Sequence, residues 1–575
     1  MFRQVLDPVA GSLAWSSLFA ALPILILFIL LGILRIKAWI AALISLAVAI
    51  IVAVVVYPMP VGPALLATSE GAAFGFFPIL WIVINAIWIY NMTVHTGHFD
   101  VLRRSFARVS KDQRIQGVII AFSFGALLEA LAGFGTPVAI TSVMLIALGF
   151  KPLKAATVAL VANTAPVAFG ALAVPITTLA TVTNLPLHDL ASMVGRQTPL
   201  LGVFVPIALV FIIDGARGVR QTWPAALVCG AVFAVAQFAT SNYLSAPLTD
   251  IVASLLSAGA VVLFLRIWHP AEIYVERSEA ETTDAEARVA GLKVHAASLT
   301  ATPNRKAPTS GRDRPPAADG DGGDSGEHDG AADVFRAYAP YLIIIAVFGL
   351  AQIPVLRDLL TSVTKTFNWP GLHILSESGK ASTLPRFKFD WLNAAGTLLI
   401  IAGLITIPVI RVHPGKALKA YLATYRQLAT AIVTVMAVLA LAYVMNASGQ
   451  TATLGTWMAG AGGIFALISP ILGWLGVAVT GSDTSSNSLF GALQVTAANQ
   501  AGLSEVLMAA SNSSGGVLGK MISPQNLAIA AAAVGLDGKE GDIFRRVILW
   551  SLGFLVLLCI LSGLQASPVL SWMVA

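Results

Sequence analysis

Residues 464–503 have the sequence IFALISPILGWLGVAVTGSDTSSNSLFGALQVTAANQAGL, in which the polar stretch from Gly481 to Asn487 separates two apolar runs. A helix needs about 20 apolar residues to cross a bilayer, so the polar stretch falls at membrane depth. Backbone N–H and C=O groups that lose their helical partners at such a break must form hydrogen bonds with protein, water or a ligand. A second segment, residues 115–150, is interrupted in the same way by the sequence GFGTP at 133–137.

The composition of the whole chain agrees with a membrane protein. Of its 575 residues 57% are hydrophobic and 11% are charged, and the mean hydropathy is +0.82. Soluble domains carry about 25% charged residues, so soluble enzymes, nucleic-acid-binding proteins and secreted scaffolds are excluded. Cys229 and Cys559 both lie in apolar stretches, which fits neither a disulfide framework nor a zinc site. We predict an all-α polytopic membrane protein with no metal, no cofactor and no nucleic-acid partner.

A polar segment divides the chain into two transmembrane halves. Residues 272–333 contain thirteen of the 29 acidic residues and seven of the 35 basic residues. This composition cannot bury enough apolar surface to offset the entropy of ordering, which predicts a disordered loop over residues 270–336. The first transmembrane half is then residues 1–269, and the second is residues 337–575.

About twelve apolar stretches are long enough to span a bilayer. They are Leu13–Leu34, Trp39–Tyr57, Gly71–Met92, Ala155–Val182, Pro199–Ile213, Trp223–Tyr243, Ile251–Trp268, Tyr338–Leu356, Leu392–Ile410, Leu428–Met445, Ser504–Val534 and Val547–Leu564. Two broken hairpins, residues 115–150 and 464–503, each precede a broken helix, residues 155–182 and 504–534. The positive-inside rule puts most basic loops and the loop 270–336 in the cytoplasm, and both chain termini outside. The basic segment 365–388 is an exception that this topology places outside.

The two broken hairpins show matching spacings. Thr136 precedes Asn163 by 27 residues, and Thr484 precedes Asn512 by 28 residues. A glycine follows each asparagine at position +7 and a proline at position +12. The predicted topology brings the first copy in from the cytoplasm and the second from outside. The two hairpins are therefore predicted to form an inverted repeat, an arrangement typical of secondary transporters.

Few ionisable side chains fall within the apolar stretches. A charge at bilayer depth costs at least about 2.5–3.5 kcal/mol, so each one is expected to have a function. Most acidic residues, Asp250 among them, are assigned to loops, and His95 and His98 to the membrane interface. The candidates at membrane depth are Glu129, Asp483 and Lys520, with Glu70, Asp189 and Glu505 less clearly placed.

Four motifs resemble those of the L-lactate permease family. They are AGFGTP at residues 132–137, NTAPVAFG at 163–170, GSDTSSN at 481–487 and GKMISPQN at 519–526. The resemblance extends from about residue 13 to about residue 564. It implies proton-coupled uptake of L-lactate, D-lactate and glycolate across the bacterial inner (plasma) membrane. The loop 270–336 is longer and more polar than the family pattern leads us to expect.

Small polar side chains around the breaks form the predicted substrate site. A 2-hydroxy monocarboxylate needs a positive pole for its carboxylate and an acceptor for its hydroxyl, and helix N-termini with short polar side chains supply both. Lys520 is the candidate cation, or else extends to the cytoplasmic interface. Arg196 is either a second carboxylate ligand or an interface anchor. The predicted substrate-binding residues are Gly135, Thr136, Asn163, Thr164, Asp483, Thr484, Ser485, Ser486, Asn487, Asn512, Ser513 and Lys520.

Proton symport requires a group that titrates between the two membrane faces. Glu129 lies four residues before the first break in an apolar segment, where burial disfavours the charged form. Glu129 is the first candidate for the proton carrier, and Asp483 is the second.

Three other classes of function are alternatives to a proton symporter. A sodium-coupled transporter of another small organic anion, such as a dicarboxylate, stays open because Ser- and Asn-rich breaks also suit sodium. An intramembrane enzyme is disfavoured because no paired-Asp, Ser–His or HExxH pattern occurs. A channel is disfavoured because channel pores are usually assembled from symmetric subunits. The sequence leaves open whether the chain forms a homo-oligomer.

Overall fold

The structure, a computed structural model, describes residues 2–275 and 330–575 except residues 35, 108, 132, 134, 352, 378, 380, 383, 537 and 538. Most of the predicted disordered loop at 270–336 lies outside these described residues. The described chain is overwhelmingly helical, with short strands confined to one region. The prediction of an all-α polytopic membrane protein is confirmed.

The first half of the chain contains one short strand and thirteen helices among its described residues. The elements are β1 (Phe2–Arg3), α1 (Leu13–Phe28), α2 (Ala38–Val55), α3 (Val61–Phe74), α4 (Trp81–His95), α5 (His98–Ala107), α6 (Gln113–Gly117), α7 (Gly125–Leu131), α8 (Thr136–Ala147), α9 (Pro152–Ala162), α10 (Gly170–Thr183), α11 (Leu187–Val194), α12 (Thr198–Tyr243) and α13 (Thr249–Phe264). Short π-helical turns at Ile29–Ile33, Gly75–Leu80 and Val118–Phe124 extend α1 and join α3 to α4 and α6 to α7.

The second half, as far as it is described, contains eleven helices and three short strands. The elements are α14 (Ala331–Ala351), α15 (Pro354–Thr361), β2 (Lys365–Asn368), β3 (Ile374–Leu375), β4 (Arg386–Phe389), α16 (Ala395–Val409), α17 (Pro414–Gln427), α18 (Ala429–Ser448), α19 (Gln450–Met458), α20 (Phe465–Thr480), α21 (Asp483–Ala501), α22 (Glu505–Gly519), α23 (Pro524–Ala533) and α24 (Glu540–Gln565).

The described residues include ten helical segments long and apolar enough to cross a membrane, or up to eleven if the bent pair α9–α10 counts as one span. The sequence predicted about twelve. One reason for the difference is that the predicted spans Pro199–Ile213 and Trp223–Tyr243 follow one another without a loop in α12, where the non-helical backbone of Asp214 and Gly215 separates two helices. Another is that α16, with 15 residues, is shorter than the stretch predicted there.

The predicted breaks occur where the sequence places them. A left-handed Gly135 precedes α8, and a left-handed Gly481 ends α20 just before α21. The Ser482 side chain caps α21 by accepting a hydrogen bond from the backbone N–H of Ser485. The helices α9 and α10 meet at an angle of 66°. The inverted relation between the two hairpins stays a prediction.

The two ends of the described chain lie on one face of the helix bundle, which we call the strand face. Strand β1 pairs in parallel with β3, and β2 pairs antiparallel with β4. Arg196, which follows α11, donates a hydrogen bond to the carbonyl of Met573 near the C-terminus. Helix α1 starts shortly after β1 and ends just before Lys37, so Lys37 lies at the opposite end of the bundle, which we call the basic face.

Close helix packing fixes the position of α22 in the second half. A Cβ atom at Gly515 would overlap the backbone of Pro470 on α20, and one at Gly473 would overlap the backbone of Asn512. Glycines at these positions let the two backbones approach closely, as is typical of packed membrane helices. The polar side chains of α22 are thereby held beside the start of α21.

Candidate functional site

A cavity of about 1060 Å³ lies between the two halves and reaches the basic face. We call it the basic-face cavity. Both predicted breaks contribute to it, the first through Gly133 and the second through residues 481–485. Its polar and charged lining in the membrane-spanning region is Glu129, Thr430, Thr434, Thr480, Ser482, Asp483, Thr484, Ser485, Lys520 and Gln525.

An ion pair joins the two halves inside this cavity. The Nζ atom of Lys520 donates a hydrogen bond of 2.6 Å to Oε1 of Glu129, and the two side chains are 7% and 4% exposed. The other carboxylate oxygen, Oε2, accepts a hydrogen bond of 2.9 Å from the amide of Asn163. Gly170 packs so closely that a Cβ atom there would lie 2.8 Å from Oε1 of Glu129. A carboxylate paired with a single cation thus faces the cavity from the first half.

Asp483 lies at the first position of α21 and is almost completely buried. Its Oδ2 atom accepts hydrogen bonds of 2.6 Å from Ser513 and 3.4 Å from Asn487. Its Oδ1 atom has no partner among the described residues and lies against Gly516. Asp483, which lines the cavity, therefore keeps one buried acceptor oxygen without a partner among the described residues.

A chain of amide side chains supports Asp483 from behind. Asn487 donates a hydrogen bond of 3.1 Å to the carbonyl of Pro175 on the first half and accepts one of 2.9 Å from Asn512. Asn512 in turn accepts a hydrogen bond from Gln494, which is bonded to Ser469. Because each of these side chains is fixed by a partner, the orientation of the Asp483 carboxyl group is set in advance.

The cavity contains a positive pole next to these acceptors. Helix α21 has 19 residues and begins at the cavity with the sequence Asp483-Thr484-Ser485. The first turn of a helix has unsatisfied backbone N–H groups and a partial positive charge. Together with the ammonium group of Lys520, this terminus makes a site suited to a small carboxylate.

The whole chain matches one family of membrane proteins. A family model described as L-lactate permease matches residues 16–569. The chain belongs to the L-lactate permease family. This family assignment confirms the resemblance seen in the four sequence motifs, and it makes the chain a multi-pass membrane permease.

Individual relatives match this permease over their full length. It is 40% identical over 590 residues to the L-lactate permease of Escherichia coli (strain K12), covering 100% of both chains. It is 40% identical over 594 residues to the L-lactate permease of Bacillus subtilis (strain 168), again covering 100% of both. The glycolate permease GlcA of Escherichia coli (strain K12) is 41% identical over 568 residues, 97% of this chain and 96% of that protein.

The structure separates the predicted substrate-binding residues of the permease into three groups. Four line the basic-face cavity, namely Asp483, Thr484, Ser485 and Lys520. Four more support these or Glu129 from behind, namely Asn163, Asn487, Asn512 and Ser513. The remaining four, Gly135, Thr136, Thr164 and Ser486, are not part of the cavity lining.

The residues of the third group have packing roles. A Cβ atom at Gly135 would overlap Ile529 on α23, so this glycine lets the first break pack against α23. Thr164 and Ser486 donate hydrogen bonds to the backbone carbonyls of Val161 and Gly473, respectively. Arg196 is bonded to Asn242 and to the carbonyl of Met573 on the strand face, away from the basic-face cavity.

Sequence reasoning missed one buried acid near Glu129. Asp250 was assigned to a loop, but it begins α13 and is fully buried. Its Oδ1 atom accepts a hydrogen bond of 2.9 Å from Gln237, its Oδ2 atom has no partner within the described chain, and it interacts electrostatically with Glu129. Ser245, Pro247 and Thr249 made this position resemble a loop, and no sequence signal showed that the start of α13 would be buried.

A second cavity, of about 680 Å³, opens toward the strand face. We call it the strand-face cavity. It is lined by Arg386 and Lys388 of β4, by Tyr443 and Asn446 of α18, and by residues 177–185 of the first half. Helix α10 contributes to both cavities, with Val174 and Pro175 in one and residues 177–183 in the other. Only about one turn of α10 therefore separates the two cavities.

Proposed function

We propose that this permease imports L-lactate, and also D-lactate and glycolate, by proton symport across the plasma membrane. The observation that carries the proposal is the buried ion pair between Glu129 and Lys520 in front of the α21 N-terminus. The names of the relatives support lactate and glycolate as the substrates. In the proposed orientation the strand face is outside and the basic face is in the cytoplasm, as the positive-inside rule requires.

Charge balance in the cavity supplies the coupling. In the structure the ammonium group of Lys520 is neutralised by the carboxylate of Glu129. A substrate carboxylate that binds Lys520 must displace Glu129, which leaves a buried anion without a cation unless Glu129 takes up a proton. Without substrate, the Lys520 ammonium group is paired with the ionised Glu129. With substrate, it is paired with the substrate carboxylate, and Glu129 is protonated. Substrate and proton therefore enter together.

The remaining polar groups fit the hydroxyl group of a 2-hydroxy acid. The substrate carboxylate binds between Lys520 and the first turn of α21, where Thr484 and Ser485 line the cavity. The free Oδ1 acceptor of Asp483 then receives the hydroxyl hydrogen. A hydroxyl-dependent site discriminates strongly against acids that lack the group, because a buried acceptor would stay unpaired.

The transport cycle is proposed to alternate access between the two cavities. The barrier between them consists of α10 and α21, where Gly491 packs against Leu179 and Val182. A separation of these two helices opens the strand-face cavity to the substrate site, while closure of the basic-face cavity seals the other side. This arrangement follows the alternating movement of inverted-repeat transporters.

The decisive experiment measures uptake of labelled L-lactate into proteoliposomes that contain the purified protein. An alkaline interior is expected to drive accumulation, and a sodium gradient at constant pH is expected not to. E129Q should lose proton-driven accumulation but retain exchange of labelled for unlabelled lactate. E540Q is the matched control, because Glu540 lines the same cavity at the start of α24, and it should behave as the unaltered protein does.

Three results would contradict the proposal. Uphill uptake of normal extent by E129Q removes Glu129 from the coupling mechanism. Uptake that follows the sodium gradient instead of the pH gradient favours the alternative, a sodium-coupled transporter of a small organic anion. Unchanged lactate affinity in both D483N and T484A shows that the start of α21 is not the substrate site.

A further inference from the structure

Glu70 is a buried carboxyl group that the proposed coupling mechanism does not use. It lies in α3, nine residues and about 14 Å along the helix axis after Val61, within the apolar segment Val61–His95 that is long enough to cross a membrane. The residue is 0% exposed, and neither of its carboxyl oxygens has a hydrogen-bond partner among the described residues. An ionisable residue at such a depth is expected to have a function.

No charged side chain of the described residues pairs with Glu70. Helix α3 packs against α18, α2 and the π-helical turn Gly75–Leu80, and none of these has a charged side chain. Residues 369–371, which contact α3 through Ser69 and Leu66, are also uncharged. Strand β4 contacts α3 through Phe387 and Phe74 and carries Arg386 and Lys388, but these side chains line the strand-face cavity and form no hydrogen bond with Glu70. Tyr443 of α18 is the titratable group that interacts with Glu70 within this described region. An ionised Glu70 would therefore be an isolated buried anion, so the arrangement in the structure requires the protonated acid.

Tyr443 connects Glu70 to the strand-face cavity. Its side chain lines that cavity, and its ring stacks on Phe74, another lining residue, with 5.2 Å between the ring centroids. Gly71, next to Glu70, packs directly against the Cβ atom of Tyr443. Helix α18 also lines the basic-face cavity through residues 430–435. A movement of α18 that changes access between the cavities therefore also changes the exposure of Glu70.

We propose that Glu70 is a second proton-binding site, which exchanges its proton with the strand-face cavity and carries it in each transport cycle. The proposal rests on the proposed proton symport and adds a second proton to it. Glu129 and Glu70 then move two protons with one monovalent anion, so each cycle transfers one net positive charge. Lactate uptake must consequently respond to the membrane potential even when the pH is equal on both sides.

The test measures labelled L-lactate uptake into proteoliposomes with an imposed potassium diffusion potential and no pH gradient. The unaltered protein should take up more lactate when the interior is negative. E70Q, which fixes a neutral group at this position, should retain lactate exchange and uptake driven by a pH gradient but lose the response to potential. E505Q is the control, because Glu505 is an acid at the start of α22 that accepts a hydrogen bond from Asn499, and it should respond as the unaltered protein does.

Two outcomes would overturn the role of Glu70 alone. One is proton-driven uptake by the unaltered protein that does not depend on potential, and the other is a normal response to potential in E70Q. Absence of proton-driven uptake in the unaltered protein would instead refute proton symport itself. If E70Q fails to exchange lactate, E70D decides the question. A shifted pH dependence of uptake in E70D supports the proposal, and an unchanged one overturns it.

Discussion

Replacement of Lys520 by methionine tests the central feature of the site, a single cation shared by Glu129 and the substrate. Methionine keeps most of the side-chain volume but removes the ammonium group. A hydrogen bond to a charged group contributes about 1.5–3 kcal/mol. The dissociation constant for L-lactate is therefore expected to rise about 10- to 150-fold, because 1.4 kcal/mol corresponds to a factor of ten.

K520M is also expected to destabilise the protein. Both side chains of the pair are at most 7% exposed, and the Nζ to Oε1 distance is 2.6 Å. Removal of one partner from a buried ion pair costs about 3–5 kcal/mol, whereas removal of both partners is often nearly neutral. The double variant E129Q/K520M should thus regain most of the thermal stability lost in K520M, while its lactate affinity stays low.

The assay is calorimetric titration of L-lactate into the detergent-purified protein, together with thermal unfolding of each variant. K37M is the matched control, because Lys37 lines the same cavity at its exposed edge and makes no ion pair that the described residues show. It should change the affinity only a few-fold, as is usual for exposed charges. Lactate affinity in K520M within threefold of the unaltered protein would refute the assignment of Lys520 as the substrate cation.

Three further predictions follow from single contacts. D483N should weaken lactate binding about 2- to 10-fold, since the amide keeps only one of the two acceptor oxygens and a neutral hydrogen bond contributes about 0.5–1.5 kcal/mol; equal dissociation constants by calorimetry would contradict this. G516A should lower the free energy of unfolding by about 1–3 kcal/mol, because the added Cβ atom overlaps Oδ1 of Asp483. G553A should not be destabilised, because the space around Gly553 is open. Similar melting curves for the two variants would contradict this packing argument. R114A should lower the free energy of unfolding by about 3–5 kcal/mol, because the fully buried Arg114 pairs with Asp112 and Asp214. R217A removes an exposed ion pair and should cost less than about 1 kcal/mol. Equal losses in thermal unfolding would show that burial is not the cause.

Much of the site was accessible from the sequence because few polar residues occur in an apolar chain. Glu129, Asp483 and Lys520 stood out since charges at membrane depth are costly and rare. The breaks at residues 133–137 and 481–487 were visible because glycine and polar residues interrupt otherwise continuous apolar runs. Hydropathy and breaks are local properties, and they determined the class of the protein and the location of its polar segments.

The partners of these residues could not be predicted. Glu129 and Lys520 are separated by 391 positions in the chain, and the sequence offered the cytoplasmic interface as an equal alternative for Lys520. Asp250 followed a serine, a proline and a threonine that resembled a loop, yet the start of α13 is buried. Thr136 was predicted to bind the substrate, and no local signal showed that the first break also packs against α23.

The sequence by itself determined that the chain spans a membrane, that it breaks at two polar segments and that a few ionisable groups lie at depth, because each of these follows from the transfer of nearby residues into lipid. Only the tertiary structure decided that Glu129 is balanced by Lys520, that Glu70 has no partner within the described chain, and that α10 separates two cavities. Pairing of buried charges depends on which helix faces meet, and those contacts join residues that are hundreds of positions apart.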